Sequence, residues 1–462
     1  MDILPPNEPS EARATNLGLR RQLGLASATA AVAGESIAVG IFLTPAGMAK
    51  SLGSPFWMLL VWVAVGALTL SGALCYGELA ARFPRDGGVY VYLQETFGRR
   101  IAFLYGWMCL LVLDPGLTAA LAIGLASYVA YVFPMPAIAT KLIAIAAIWT
   151  LCVLNILSIR VSAGVLRWTT WLKLALLVLL VVWAAAFRLG AWSNFVPFVA
   201  QRAGSDPLMP ALGGAMVAAF FSFGGWWDVT KIAGEVRDPG RTLPRAMMLG
   251  VLAVTAVYIL VSAAFLYLVP LAKVISDQTF VAQAGTVLFG PAGGVIFAAV
   301  VILCVLSSLS ALIISAPRVY YAMAQDGLFL HAVARVHPRF GTPANAILIQ
   351  GFIASLLVAI SSFQQIIAYF VFVAIVFLGL AAAGLFVLRS RGQGTMPAFL
   401  TPGYPLPPLA FLTLITLLLL LLAAHKPWEA LLGAAVVLAG LPVYGAFQSK
   451  LSTVTPSTSS GA

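Results

Sequence analysis

The chain alternates long apolar runs with short polar segments. About twelve apolar runs can be counted, most of them about 18 to 25 residues long, which is the length that about 30 Å of hydrocarbon requires of an α-helix. They cover residues 25–48, 55–80, 98–133, 138–157, 162–187, 211–234, 245–270, 288–322, 344–361, 363–389, 405–424 and 427–447. The pattern predicts an all-α integral membrane protein with about twelve transmembrane helices.

Two of these segments are interrupted by glycine and polar residues. The first contains GESIAVG at 34–40, and the sixth contains FSFGGWWD at 221–228. A helix that breaks inside a bilayer frees backbone groups that lipid cannot bind, so the breaks predict a binding site near the midplane. Segments one to five and six to ten each begin with a broken helix. This spacing predicts two five-helix repeats of opposite orientation.

The composition agrees with a membrane protein and indicates how the chain is oriented. The sequence is 61% hydrophobic and only 9% charged, with a mean hydropathy of +1.01, whereas soluble domains contain roughly 25% charged residues. With the N-terminus inside, 19 of the 26 Lys and Arg residues, Lys231 among them, fall in cytoplasmic loops and six in outer loops. Lys173 belongs to neither set. This bias predicts a multi-pass protein of the cell membrane with both termini in the cytoplasm, and it accounts for the net charge of +11 without nucleic acid.

The segments divide the chain into five parts. Residues 1–24 are predicted to form a cytoplasmic N-terminal segment without a signal-peptide cleavage site, and residues 25–390 are predicted to form a ten-helix core built from the inverted repeat. A Pro- and Gly-containing loop, 391–404, separates this core from helices 11 and 12 at 405–447. The Ser- and Thr-rich tail, 448–462, is predicted to be disordered and cytoplasmic.

The sequence offers no material for an enzyme, a metal site or a cofactor. The four cysteines, Cys75, Cys109, Cys152 and Cys304, lie in apolar segments without metal-ligand spacing, and the three histidines lie in loops or at a helix end. Neither paired catalytic carboxylates nor a nucleophile beside a base can be identified. We therefore expect neither catalysis nor a bound cofactor.

Several motifs resemble those of the amino acid–polyamine–organocation transporters, and they are most similar to the L-type amino acid transporter branch. They are GIFLTP at 40–45, YGEL at 76–79, FPRDGG at 83–88, FFSFGGW at 220–226, EVRDP at 235–239 and LPRA at 243–246. The resemblance covers roughly residues 25 to 390 in the expected order. It implies the leucine-transporter fold, with a 5+5 inverted repeat and substrate held between broken helices 1 and 6.

The resemblance also implies which residues bind a zwitterionic amino acid. The N–H groups of Ala38, Val39 and Gly40 would bind the carboxylate, and carbonyls near Gly34, Ile37, Phe221 and Ser222 would bind the ammonium. Phe223 and Gly224 complete the break of helix 6, and Phe221 would be the gate over the substrate. The side-chain pocket would lie among helices 3, 6, 8 and 10. Relatives have Gly-Ser-Gly or Gly-Ala-Gly where this chain has residues 38–40.

Four ionisable residues lie inside apolar segments, where each is a functional hypothesis. Glu35 and Lys173 lie at similar depths and could meet. By resemblance, the ammonium of Lys173 stands where sodium-coupled relatives bind an ion, and Ser307 and Ser308 would face it. The alternative is a purely structural ion pair of Lys173 with Glu35 or Asp114.

Two roles are open for Glu35. It is either a coupling residue that carries a proton or binds an ammonium group, or a fixed counter-charge. Asp114 either faces the substrate or caps a local break, and Asp228 is interpreted as a solvated or loop-paired acid.

Two loops that would face the cytoplasm mix acids, arginines and proline turns, at 78–90 and 234–245. One interpretation is that their ion pairs only hold the loops in place. The other is an inner gate whose salt bridges break when the site opens inward.

The sequence thus predicts a sodium-independent secondary active transporter of amino acids that works by alternating access in the lipid bilayer, either coupled to protons or as an exchanger. One alternative is an amine or polyamine transporter, favoured by Glu35, Asp114 and the altered first break. Another is a non-transporting sensor or partner subunit. The animal L-type transporters that this sequence resembles carry a cysteine between segments three and four, which forms a disulfide to a heavy-chain subunit. The corresponding residues here, 134–141, contain no cysteine, so the resemblance implies no disulfide-linked heavy chain.

Overall fold

The computed structural model describes residues 21, 23–38, 40–157, 159–271, 274, 284–333, 335–337, 340, 342–360, 363–392, 396–425 and 427–454. Helices occupy all twelve predicted segments, which we number spans 1 to 12. Nine stretches of the described residues are long and apolar enough to cross a membrane. The prediction of an all-α membrane protein is therefore confirmed.

The helix bounds follow the predicted segments closely. They are Leu25–Ser36 and Gly40–Leu52 (span 1), Pro55–Arg82 (span 2), Arg99–Met108 and Asp114–Val132 (span 3), Ala137–Leu157 (span 4), Ile159–Ala186 (span 5), Leu208–Phe223 and the 3-10 segment Asp228–Glu235 (span 6), Pro239–Leu268 (span 7), Gly293–Ser315 and Pro317–Gln325 (span 8), Ala344–Ile360 (span 9), Phe363–Arg391 (span 10), Leu406–His425 (span 11) and Pro427–Val454 (span 12). A short helix, Val89–Phe97, lies between spans 2 and 3.

Spans 1 and 6 are broken where the sequence predicts. In span 1 the first helix ends at Ser36, and Ile37 leaves helical geometry with φ −79° and ψ 77° before the second helix begins at Gly40. In span 6 the helix ends at Phe223, and a turn over residues 224–227 precedes the 3-10 segment. The breaks themselves are confirmed, and the inverted repeat that would relate them stays a prediction.

Span 3 contains a third irregularity, which lies next to an acidic residue. A π-helical turn, Cys109–Leu113, comes directly before Asp114 and Pro115. Proline lacks the N–H that an α-helix needs, and π turns are frequent at functional positions. Among the nine membrane-length stretches of the described residues, the stretch of span 3 has the largest buried share, 78% against 17% for span 4. The irregularity therefore lies near the centre of the protein.

The spans pack as two groups. In the first group, span 2 packs on span 7, the first helix of span 1 on span 7, and the second helix of span 1 on span 6. In the second group, span 3 packs on spans 4, 8 and 9. The first helix of span 1 also packs on span 8, so a polar contact from span 1 or 6 to span 3 or 8 lies where the two groups meet.

The last helix corrects the predicted tail. The disordered tail was expected from residue 448, but span 12 continues to Val454. Residues 448–454 read QSKLSTV, and the next helix breaker in the sequence is Pro456. Gln, Lys and Leu are good helix formers, so an existing helix extends through them at little cost.

Candidate functional site

The break of span 1 binds the ammonium group of Lys173. Lys173 Nζ donates hydrogen bonds to Gly34 O at 2.6 Å, Ile37 O at 2.8 Å and Ser308 Oγ at 2.9 Å. The side chain is only 1% exposed. An ammonium has three N–H donors, and each has an oxygen here. Lys173 of span 5 thus joins span 1 to span 8.

Of the two serines predicted to face Lys173, only Ser308 does. Ser308 Oγ also donates towards Gly34 O at 2.8 Å, whereas Ser307 Oγ lies 2.6 Å from Thr169 Oγ1. Successive helical residues point about 100° apart, so one serine of the pair turns away. Ser307 therefore does not face the ammonium of Lys173, and the prediction that it does is wrong.

Glu35 does not pair with Lys173. Within the described residues no cation lies within ion-pair distance of Glu35, and its Oε2 is buried without a hydrogen-bond partner. Its charged neighbours include Asp228, Lys231 and Asp114, and Lys173 is also near enough for the two charges to interact. The side chain is therefore directed towards span 6 and the centre of the protein.

The two broken spans touch at their breaks. A Cβ atom on Gly40 would lie 2.6 Å from the Cα atom of Ser222, and one on Gly225, which has φ +100°, would lie 2.9 Å from Glu35 Cβ. Only glycine permits approaches this close. Tyr258 Oη lies 2.6 Å from Ser36 O and 2.7 Å from Ser222 O, so its single proton serves one of the two breaks at a time.

Several backbone groups assigned to the substrate are already bound within the protein. The carbonyls of Gly34 and Ile37 each accept from Lys173, and Ser308 Oγ lies 2.8 Å from the first oxygen and 3.2 Å from the second, so its one proton goes to one of them at a time. Each oxygen therefore already binds a cation of the chain, and its assignment to a substrate ammonium stays a prediction.

Other predicted groups are used in the same way. Ala38 N–H donates to Ser36 O at 2.9 Å, and Phe221 O accepts from Gly224 N–H at 2.9 Å. Ser222 O accepts from Tyr258, as described above. Backbone groups freed by a break inside a bilayer need hydrogen-bond partners, and the chain itself supplies them for these three groups.

The remaining predicted residues lie around the breaks. Phe221 is 5% exposed, so it is buried beside the break, and its gate role stays a prediction. Phe223 packs in the core against Trp62 and Tyr258, with ring centroids 6.2 Å and 5.2 Å away. Gly40 begins the second helix of span 1, whose first N–H groups have no partner within the helix. Val39 lies outside the described residues.

A buried ion cluster lies at the centre of the protein. Lys231 Nζ is 2.9 Å from Asp114 Oδ1 and 2.9 Å from Asp228 Oδ1. Tyr320 Oη lies 2.7 Å from Asp114 Oδ2 and 3.0 Å from Cys109 O in the π turn, and its single proton is donated to one of these oxygens at a time. The cluster joins spans 3, 6 and 8, and it therefore links the two packing groups.

The cluster corrects two sequence interpretations. Lys231 was counted among the cytoplasmic cations, and Asp228 was interpreted as solvated or loop-paired, but each is only 2% exposed. Each supplies a counter-charge to the other, which makes burial of both possible. Asp114 binds residues of spans 6 and 8 rather than the end of its own helix, which favours a place at the site over local capping.

A small cavity adjoins this cluster. Its wall contains residues of spans 3, 6 and 10, namely Tyr105, Leu113, Asp114, Leu117, Trp227, Asp228, Lys231, Ala374 and Leu378. Three of these side chains form the ion cluster, and the others are apolar or aromatic. Convergent polar groups among apolar walls are typical of small-molecule sites, and the space enclosed here holds about one water molecule, so a larger group would enter only as the walls move apart.

Polar contacts close the side of the protein near the N-terminus. Leu23 lies opposite Val236 in a parallel bridge, donating its N–H to Glu235 O at 3.0 Å and accepting at its carbonyl from Arg237 N–H at 2.8 Å. Arg318 binds Glu235 at 3.3 Å, and Asp86 Oδ1 accepts from Gly234 N–H at 2.8 Å. We call this side the N-side. Its contacts join the end of span 6 to span 8 and to the loop after span 2.

Asp86 should make this closure depend on pH. Burial raises the pKa of Asp86 to about 6, from an ordinary value of 3.8, and the nearby Glu235 acts in the same direction. The folded state then binds this proton more tightly than the unfolded chain, so this stabilisation should be lost as pH rises through about 6. Thermal midpoints of wild type and Asp86→Asn between pH 5 and 8 test this. The difference between them should change across that range, and parallel curves would contradict the assignment.

The comparisons with known proteins agree with this geometry. A family profile described as amino acid permease matches residues 23–444. The serine/threonine exchanger SteT of Bacillus subtilis is 31% identical over 430 residues, covering 92% of this chain and 97% of that protein. The mouse b(0,+)-type amino acid transporter 1 is 28% identical, covering 93% and 88%, and the cystine/glutamate transporter of Pongo abelii is 26% identical, covering 93% and 85%.

Proposed function

This chain belongs to the amino acid permease family, a family of membrane transporters and not of enzymes, and we propose that it is a sodium-independent exchanger of small neutral amino acids. Exchange would occur by alternating access, with spans 1, 2, 6 and 7 moving against spans 3, 4, 8 and 9. The substrate would bind beside the broken spans and direct its side chain into the central cavity.

The position of Lys173 is the main observation that supports transport without sodium. In transporters with broken helices, unwound carbonyls bind the coupling sodium or proton. Here Gly34 O, Ile37 O and Ser308 Oγ already surround an ammonium group that the chain supplies. A fixed cation at this position supports a cycle that needs no external one.

The cavity and the relatives support the proposed substrate class. The cavity is small and largely apolar in its walls, which suits a short side chain. The relative SteT is a serine/threonine exchanger. An amine or polyamine is the second candidate, since Asp114, Asp228 and Glu35 outnumber Lys231 around the cluster.

We further propose that the N-side is cytoplasmic, as the distribution of Lys and Arg favours, and that the protein lies in the cell membrane. We also propose that it works without a disulfide-linked partner. All four cysteines of the chain are 0% exposed, which supports this proposal.

Counterflow in proteoliposomes tests the function. Labelled serine should enter vesicles loaded with unlabelled serine at the same rate in sodium and in choline buffer, and hardly at all into empty vesicles. Uptake that needs sodium would contradict sodium independence alone. Uptake into empty vesicles driven by an imposed pH gradient would show proton symport instead of exchange, and strong competition by putrescine would favour the amine reading.

A further inference from the structure

Lys231 lies between the ion cluster and the cavity. Its ammonium bridges two carboxylates on different spans, Asp114 on span 3 and Asp228 on span 6, at 2.9 Å each. The other oxygen of Asp114 accepts from Tyr320, so this carboxylate is held from both sides. Lys231 itself is also part of the cavity wall. A charged group of the chain is therefore fixed at the place where a substrate side chain would end.

The two carboxylates form a position for a cation, and Lys231 fills it. Without an ammonium, two buried negative charges would face the cavity, at a large cost in free energy. With Lys231 in place both carboxylates are already paired, so an ammonium that enters the cavity meets the like charge of Lys231 at the cation position and finds no free carboxylate there. The cavity wall beyond the cluster, with Leu113, Leu117 and Ala374, favours an uncharged group.

We infer that Lys231 is a specificity-determining residue: its ammonium occupies the cation position of the cavity, and it thereby excludes amino acids with cationic side chains. The inference rests on the proposed function, because it takes the cavity to receive the substrate side chain. The inference assigns the selection between neutral and cationic side chains to Lys231 alone, and substitutions can remove the charge of this residue with or without its volume.

Wild-type protein gives the first test. Norvaline and ornithine share the same three-carbon side chain, and ornithine differs by its terminal ammonium. Norvaline should compete with labelled serine at least tenfold better than ornithine does. Equal competition by the two would overturn the inference while leaving serine exchange, and thus the proposed function, intact.

Three variants give the second test. Lys231→Ala removes both charge and volume, and it should improve ornithine competition relative to norvaline at least tenfold. Lys231→Met removes the charge but keeps the volume, so it should not admit ornithine. Lys231→Ala with Asp228→Asn removes one of the attracting carboxylates and should lose most of the gain.

Ligand binding can also be measured by thermal melting, which does not depend on the rate of transport. Ornithine should raise the thermal midpoint of Lys231→Ala more than norvaline does, since a ligand stabilises the state it binds. A folded Lys231→Ala that binds norvaline without any gain for ornithine would overturn the inference. If that variant does not fold, the wild-type competition decides. Failure of wild type to exchange any amino acid would instead contradict the proposed function.

Discussion

Replacing Lys173 by alanine should lower serine exchange by at least tenfold. The change removes an ammonium that binds two carbonyls of the span 1 break and the hydroxyl of Ser308. Buried acceptors left without a donor cost about 1–3 kcal/mol each, and about 1.4 kcal/mol is a factor of ten. The break should then lose its fixed geometry beside Ser222, which it contacts across Gly40.

Lys141→Ala is the matched control. Lys141 Nζ also donates to a backbone carbonyl, Ala359 O, at 2.7 Å, but at an exposed position. Water can replace that hydrogen bond, so exchange and thermal midpoint should stay near wild type. Counterflow rates at equal reconstituted protein, with melting curves for both variants, provide the measurement. A folded Lys173→Ala protein that exchanges serine at the wild-type rate would show that Lys173 has no part in the transport cycle.

The broken helices could be predicted from the sequence because their cause is local. Glycines and polar residues inside an apolar run, such as Gly40 in span 1 and Gly225 in span 6, indicate breaks without knowledge of any neighbour. The depth of Lys173 could also be predicted, since helix rise and the start of span 5 fix it. What these patterns could not show is which oxygens the lysine meets.

The ion cluster was missed for two different reasons. Lys231 follows Asp228 at a spacing of three within an apolar segment, a signal that helical periodicity could have supplied. The count of loop cations assigned it to the cytoplasm instead. Tyr320 gave no signal at all, because its contact with Asp114 depends on how span 8 packs against span 3.

The sequence also could not show which partners bind the backbone groups that the broken helices leave free. Resemblance assigned the carbonyls of Gly34 and Ile37 to a substrate, but these oxygens bind Lys173 and Ser308. Lys231 is comparable, since it satisfies the acids beside the second break. In both places a lysine from the chain supplies the positive charge that a ligand could bring. The protein thus uses its own lysine side chains to supply positive charge at the two breaks, which lie where the bilayer contains no counter-ions.

The second large effect is expected at Glu78, where the two interpretations of the N-side loops differ. Glu78 is 0% exposed on span 2. Its carboxylate accepts from Arg82 at 2.8 Å, from Arg389 at 2.5 Å and from the backbone N–H of Thr401 at 2.8 Å. It therefore holds span 10 and the loop after it against span 2.

Glu78→Ala should lower the free energy of unfolding by about 3 kcal/mol, the lower end for breaking a buried ion pair, because the two arginines are partly exposed and water can reach them. Glu95→Ala is the matched control, since Glu95 pairs with Arg85 where both side chains are largely exposed. Such pairs contribute about 0–1 kcal/mol, so its melting curve should stay close to wild type.

Melting curves in detergent and exchange rates of the two variants separate the interpretations. A lower midpoint for Glu78→Ala, with exchange reduced only in proportion to folded protein, would show that the ion pairs hold the loop in place. An unchanged midpoint with altered exchange would instead favour a gate, because the contact would then matter only when the N-side opens. If Glu78→Ala behaved like Glu95→Ala in both measurements, neither role could be assigned to this carboxylate, and its burial between two arginines would have no measurable consequence.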